Sequence, residues 1–186
     1  FVMVRGSVPL KWSQPLRGLS WNKKISFNSS GNISSTRRHF AKLVSHYGHV
    51  KVVDLLSSRG EEGMLKQAFL RSVSLLPPSN HPSAHVQYFH FDLHEEMTNS
   101  NTAALERLAS WTKAESSDLG QFMFVSGREE SGCQMNLQNG VFRVNCKDCL
   151  DRTNLVQRII ACSVLQQQLH AVAIIDSDFS KRCKEA

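Results

Sequence analysis

Cys146 and Arg152 frame five residues, and Thr153 follows at once, inside the stretch F-R-V-N-C-K-D-C-L-D-R-T-N-L-V-Q from Phe142 to Gln157. An apolar strand-like run precedes this stretch and a helix-like run follows it. A loop that closes onto a helix N-terminus turns unpaired backbone N–H groups inward, and the helix dipole adds partial positive charge, so a phosphate dianion can rest there. The same field favours a thiolate: a free cysteine titrates at roughly 8.5, and a helix N-terminus with a neighbouring cation lowers that to about 3.5–7.5. Cys146 is therefore the candidate nucleophile. Arg152 is the candidate clamp, because a guanidinium holds two phosphate oxygens as a planar fork. The departing oxygen needs a proton, which Asp148 can supply, with Asp151 as the reserve. Thr153 can hydrogen-bond the sulfur as it leaves in a second step.

The same cysteines allow other chemistry. Cys146 and Cys149 form a C-x-x-C pair, as half a zinc site or a redox dithiol would. Zinc needs two further ligands, and Cys133, Cys162 and Cys183 are scattered, with no second C-x-x-C and no H-x3-5-H run. A redox pair has no use for the Arg152 and Thr153 that complete the cradle. The cysteine spacing by itself completes no metal or cofactor site.

The flanking periodicity says which elements hold the loop. Phe1 to Val4 ends a strand, and a loop broken by Gly6 and Pro9 carries Arg5, Lys11, Trp12 and Arg17. Ser26 to Ser35, rich in Ser, Asn and Gly, reads as a flexible loop. A helix from Thr36 places Phe40, Leu43, Val44 and Tyr47 on one stripe and stops at Gly48. Strand Val50 to Leu56 is followed by a helix from Glu61 to Leu76 with Leu65, Ala68, Phe69 and Leu76 inward. A strand from His85 to Leu93 follows, whose period of two would continue to put His90, Asp92 and His94 on one side, where a metal could bind. Thr102 to Ala114 is a helix, Gln121 to Val125 a short strand and Gly127 to Gly132 a charged turn. Asn139-Gly140 between Gln134–Leu137 and Val141–Asn145 is a hairpin signal, so Cys146 is expected on the second arm of a hairpin. A helix from Asn154 to Val172 carries Leu155, Val156, Ile159, Ile160, Leu165 and Leu169, and Asp176 to Ala186 reads as a frayed polar end. The expected fold is α/β, a central mixed β-sheet flanked by helices on both faces, with the Cys-x5-Arg loop between a strand and a helix.

The chain has 186 residues, 41% of them hydrophobic, which suits one domain with one core. A net charge of +6 favours an anionic partner. No run of basic and aromatic residues resembles a nucleic-acid module, so nucleic acid is not expected. An odd count of five cysteines, one of them required as a thiolate, points to a reducing compartment. No stretch reaches the roughly 20 apolar residues of a membrane span. The expected location is cytoplasmic, peripheral at membranes.

The run R-V-N-C-K-D-C-L-D-R-T-N resembles the signature R-x-N-C-x-D-C-L-D-R-T-N of the Sac-domain phosphoinositide phosphatases, with every fixed position matched from Arg143 to Asn154. R-G-S-V-P-L-K-W is similar to a second stretch of that family, R-G-S-x-P-x-x-W, at Arg5, Gly6, Ser7, Pro9 and Trp12. F-D-L-H resembles its F-D-x-H at Phe91, Asp92 and His94, in a layout closest to synaptojanin-type Sac domains. The resemblance implies hydrolysis of inositol-ring phosphates on membrane lipids through a cysteinyl-phosphate, without metal. It makes Cys146, Asp148, Arg152 and Thr153 the catalytic set, and it adds Cys149, Leu150, Asp151, Asn154, Arg5, Asp92 and His94 as substrate-side residues, Asp92 and His94 as hydrogen-bonding groups near the loop. Lys147 stands at the variable position of the signature, and its charge alone places it as a substrate-side residue at the rim of the cradle. The implied partners are a phosphoinositide headgroup and an anionic membrane surface. It also implies that residues 1–186 are the C-terminal catalytic part of a Sac domain whose N-terminal subdomain is missing here. The alternatives are a catalytically idle Sac-like module that binds anionic lipid, and a phosphatase for proteins or soluble inositol phosphates.

Overall fold

A computed structural model describes residues 1–14, 25–27, 29–77, 85–98, 102–125 and 134–171. Along these residues the order is β1 (Met3–Ser7), β2 (Trp12–Ser13), β3 (Ser26–Phe27), α1 (Ser29–Tyr47), β4 (His49–Asp54), α2 (Gly60–Ser74), β5 (Val86–His90), α3 (Leu93–Thr98), α4 (Thr102–Leu119), β6 (Met123–Val125), β7 (Gln134–Asn136), β8 (Gly140–Cys146) and α5 (Asp151–Ala171). The readings at Arg17, at Gly127 to Gly132 and at Asp176 to Ala186 fall outside the described residues.

The class is α/β, as expected, around a four-stranded sheet in the order β1-β8-β4-β5. All its pairings are parallel, and antiparallel pairing is confined to the two-stranded ribbons β2-β3 and β6-β7. A parallel sheet survives only when both faces are covered, and alternation along the strands supplies the two faces. Phe142, Val144 and Cys146 of β8 join Val53 and Leu55 in a core with Leu108 of α4 and Val156, Ile160 and Val164 of α5. Val141, Val50 and Val52 point the other way, onto Phe40 and Leu43 of α1 and Leu65 and Phe69 of α2. β8 is buried along its whole length. Each fully buried Val, Leu or Phe contributes about 1.5–3 kcal/mol, which makes β8 the most firmly held strand to hang a loop from.

The expected hairpin does not form. Both edges of β8 are taken by β1 and β4, and β7 pairs with β6 instead. Asn139-Gly140 is an entry point into the sheet: the Asn139 N–H donates to Leu119 O at 2.8 Å, and the His49 N–H donates to Asn139 O at 3.1 Å. Glycine is selected at 140 by close approach, since a Cβ there would lie 2.6 Å from both His49 Cβ and Leu119 Cδ2.

The stretch read as a flexible loop is helical from Ser29 onward. Its polar residues are used for docking: Asn32 Oδ1 accepts the Lys11 N–H at 2.9 Å, and the buried Thr36 hydroxyl donates to Pro9 O at 3.1 Å. The helix stops where expected, at Gly48, whose φ of 77° suits only glycine. β5 ends at His90, so His94 lies on the short helix α3 and the alignment of His90, Asp92 and His94 along one strand face is not realised. α4 runs on past Ala114 to Leu119. In α5 the buried stripe is Thr153, Val156, Ile160, Ser163 and Val164, while Leu165 is exposed.

Parallel strands in register end together. Ser7 lies opposite Cys146, and Asp54 lies opposite both Asn145 and His90. The loops that leave this edge bring the 55–59 segment, Asp92 and the 147–150 segment to one end of the sheet, where α/β folds place their ligands. No helix among the described residues is long and apolar enough to cross a membrane.

Candidate active site

β8 delivers Cys146 to the sheet edge, residues 147–150 turn, and α5 begins at Asp151. Cys149 sits at φ 59°, a left-handed conformation that is costly for a side chain other than glycine. That conformation aims the Cys149 N–H back at Cys146 Sγ, 3.1 Å away. The thiol in turn donates to Asp148 Oδ1 at 3.2 Å, and the Leu150 N–H donates to the same oxygen at 3.4 Å. The turn is thus drawn around the sulfur. Thr153 closes it from below, its hydroxyl donating to Leu150 O at 2.8 Å and lying 3.8 Å from Cys149 Sγ, so at rest it faces the second cysteine's sulfur.

Arg152 lies in the first turn of α5 and reaches across to the neighbouring strand and helix. Its Nη1 donates to Glu62 Oε2 at 2.7 Å and to Leu55 O at 3.2 Å, and its Nη2 donates to Glu62 Oε1 at 2.9 Å. Both side chains are about one-fifth exposed, at 23% and 19%. Burial alone would raise the Glu62 carboxyl, but the hydrogen bonds from Arg152 and the Ser57 N–H, with the charges of Arg152 and Lys147, hold it below the ordinary range. The Glu62 hydrogen bonds push Arg152 further up, against the effect of burial.

The thiol does not follow the sequence expectation. Burial pushes Cys146 above its ordinary value, and the Asp148 carboxylate that accepts its hydrogen adds to the rise; the Cys149 N–H and the Arg152 charge pull down without overcoming them. For Asp148, burial pushes up, but the Cys146 hydrogen bond, the Leu150 N–H and Arg152 hold it low. In the resting structure the proton therefore sits on sulfur and Asp148 is ionised. The physical reason for the difference is burial of the sulfur, to which the Asp148 carboxylate beside it adds.

The other sequence candidates divide. Arg5, on the edge strand β1, hydrogen-bonds Asn154 Oδ1 across the start of α5. Lys147 is half-buried, while Asp148, Leu150, Asp151 and Asn154 are exposed around the turn. Asp92 acts on backbone: its Oδ2 accepts the Ser58 N–H at 2.6 Å and the Ser57 hydroxyl at 3.5 Å, and its Oδ1 accepts the Glu95 N–H at 3.1 Å, capping α3. His90 Nε2 donates to Leu56 O at 2.8 Å, and His94 is exposed on α3. Among the described residues no three His, Cys, Asp or Glu side chains gather closely enough to hold a metal ion.

Sequence reasoning missed the residues beneath the loop. Asp54 is fully buried, accepting hydrogen bonds from the Leu56 N–H at 3.3 Å, from the Tyr88 hydroxyl and from Asn145 Nδ2. Burial raises its carboxyl in spite of these partners. Arg143 is 2% exposed and donates to Ser7 O at 2.7 Å, to Gly6 O at 3.3 Å and to His39 Nε2 at 3.3 Å, binding β1 and α1 to the strand that carries Cys146. A charged residue inside a strand was the available signal for Asp54. Glu62 offered none, since a glutamate in the first turn of a helix is ordinary.

The sequence pattern of the family described as SacI homology domain matches residues 1–98. Phosphatidylinositol-3-phosphatase SAC1-A of Danio rerio is 32% identical over 100% of this chain and 32% of its own length. Synaptojanin-1 of Homo sapiens is 36% identical over 95% of the chain and 11% of its length. Phosphoinositide phosphatase SAC8 of Arabidopsis thaliana is 33% identical over 95% of the chain and 28% of its length. The chain thus spans about a third or less of the length of these relatives, and the alignment with SAC1-A takes in the whole chain. With the matched pattern covering more than half of the residues, the chain belongs to the SacI homology domain family.

Proposed function

We propose that this chain is the catalytic part of a phosphatase that hydrolyses inositol-ring phosphate monoesters of membrane lipids through a phosphate ester on Cys146. The observation that carries the reading is the hydrogen bond of 3.2 Å from the Cys146 thiol to Asp148, in a turn whose Cys149 N–H points at the same sulfur. It supplies a balanced proton route. The thiol proton moves to Asp148 as sulfur attacks phosphorus, the P–O bond to the ring breaks, and Asp148 passes that proton to the departing alkoxide. In the second step water attacks phosphorus, the P–S bond breaks, and the water proton returns through Asp148 to sulfur. Arg152 holds the equatorial oxygens through both displacements.

The likeness to relatives named for phosphoinositides supports an inositol lipid as substrate. The net charge of +6 supports peripheral attachment to an anionic cytoplasmic membrane face. The test is a panel on the full-length protein: vesicles carrying phosphoinositides, the soluble headgroups and phosphotyrosine peptides. Phosphate release fastest from vesicles is expected. Preference for peptide or headgroup would move the reading to those substrates, and binding of anionic vesicles without release from any of the three would leave an idle lipid-binding module.

A further inference from the structure

We propose that Glu62 is the positioning residue of the phosphate clamp: it holds the end of the Arg152 guanidinium so that the long edge, Nε and Nη2, faces the phosphate. The proposal rests on the phosphatase reading above. A guanidinium has five N–H donors, two on each Nη and one on Nε. Among the described residues three of them are engaged, both Nη1 hydrogens by Glu62 Oε2 and Leu55 O, and one Nη2 hydrogen by Glu62 Oε1. The remaining Nη2 hydrogen and the Nε hydrogen lie side by side and parallel, a two-point fork of the kind that matches phosphate.

Glu62 is itself held. It stands in the first turn of α2, where a carboxylate is favoured by the helix dipole, and its Oε2 also accepts the Ser57 N–H at 3.0 Å. The 57–58 segment is fixed by Asp92 through the Ser58 N–H and the Ser57 hydroxyl. Support therefore runs from Asp92 through this segment to Glu62 and on to Arg152. A carboxylate that merely filled the phosphate's place would have to leave before substrate bound, whereas this one grips the guanidinium from the end and is anchored to the backbone behind it.

The arrangement predicts a split between binding and rate. Glu62 brings negative charge near an anion, so it does not strengthen phosphate binding; what it supplies is orientation, and misplacing a reacting group by about 1 Å costs roughly 100-fold in rate. In the full-length protein, Glu62→Gln should lower kcat on inositol lipid by about 10–100-fold, with KM and tungstate affinity unchanged or tighter. Glu62→Asp should fall between Glu62→Gln and wild type. In an Arg152→Lys background, Glu62→Gln should cost almost nothing further, because the group it orients is gone. An increase in kcat/KM on Glu62→Gln would make Glu62 a blocking group, and an unchanged kcat would remove it from the site. A loss that persists undiminished in the Arg152→Lys background, with the melting temperature lowered to match, would make it a structural residue. Each of these overturns the proposal while wild-type turnover stands. A wild-type protein that releases no phosphate would overturn the phosphatase reading and this one together.

Discussion

Replacing Asp148 by Asn separates the proton route from the geometry of the turn. The Asn amide oxygen can still accept from the Leu150 N–H and from the Cys146 thiol, so the loop keeps its shape while the carboxylate's charge and basicity are lost. Two consequences follow with different signs. Asp148 contributes to the raised Cys146 value both by accepting its hydrogen and by its charge, after the larger effect of burial. A unit charge at the 3.2 Å separation is worth roughly 1 kcal/mol at the dielectric of water, the right choice for so exposed a carboxylate. The midpoint for alkylation of Cys146 by iodoacetamide should therefore move down, giving a more reactive thiol. Turnover should move the other way. Loss of a general acid costs about 10²–10⁴-fold on an alkoxide leaving group; an activated aryl phosphate, which leaves without a proton, should lose less, since only the handling of the thiol and water protons is affected. The reasoning is refuted if aryl phosphate and inositol lipid are impaired equally, or if the alkylation midpoint stays put or rises.

Two further outcomes concern the frame beneath the loop. Burial first, and then the Arg143 charge, lower His39 from 6.5 to about 4. The unfolded chain therefore takes up that proton first as pH falls. The stability His39 contributes is complete above about 6.5 and is lost towards 4. The gap corresponds to about 3 kcal/mol, reduced to roughly 1–2 by solvent screening at a half-buried ring. His39→Gln should flatten this part of the urea-unfolding midpoint between pH 7 and pH 4, and an unchanged slope would show that His39 is not its source. Gly140→Ala forces a methyl against His49 and Leu119, with no room on either side. It should lower stability by about 1–3 kcal/mol in denaturant titrations, and a neutral result would mean that the start of β8 relaxes freely.

The parts of this molecule that were legible in its sequence are those written in local patterns. The stripe Phe40, Leu43, Val44 and Tyr47, the run Val50 to Leu56 and the spacing from Cys146 to Arg152 each lie within one element and its immediate neighbour, and the structure places a helix, a central strand and a strand-to-helix turn there. What was not legible depends on partners far along the chain. The signal of Asn139-Gly140 for a hairpin is local, and it lost to β1 and β4, which lie far back along the chain and occupy both edges of β8. The helical start of α1 at Ser29 depends on Lys11 and Pro9 meeting Asn32 and Thr36. The pairing of Glu62 with Arg152 spans 90 residues. The raised thiol is tertiary too: a helix N-terminus and an adjacent arginine argued for a thiolate, but how deeply the fold buries the sulfur was not written in the local sequence.

The central claim is that phosphate passes through the sulfur of Cys146. The direct measurement is a rapid acid quench of the full-length protein during turnover of phosphoinositide vesicles, followed by mass analysis of the peptide that carries residues 142–157. The account predicts a phosphate adduct on Cys146, more abundant when product is collected early, and absent from Cys146→Ser together with turnover. Turnover that proceeds with no adduct on Cys146, or that persists in Cys146→Ser, would contradict it.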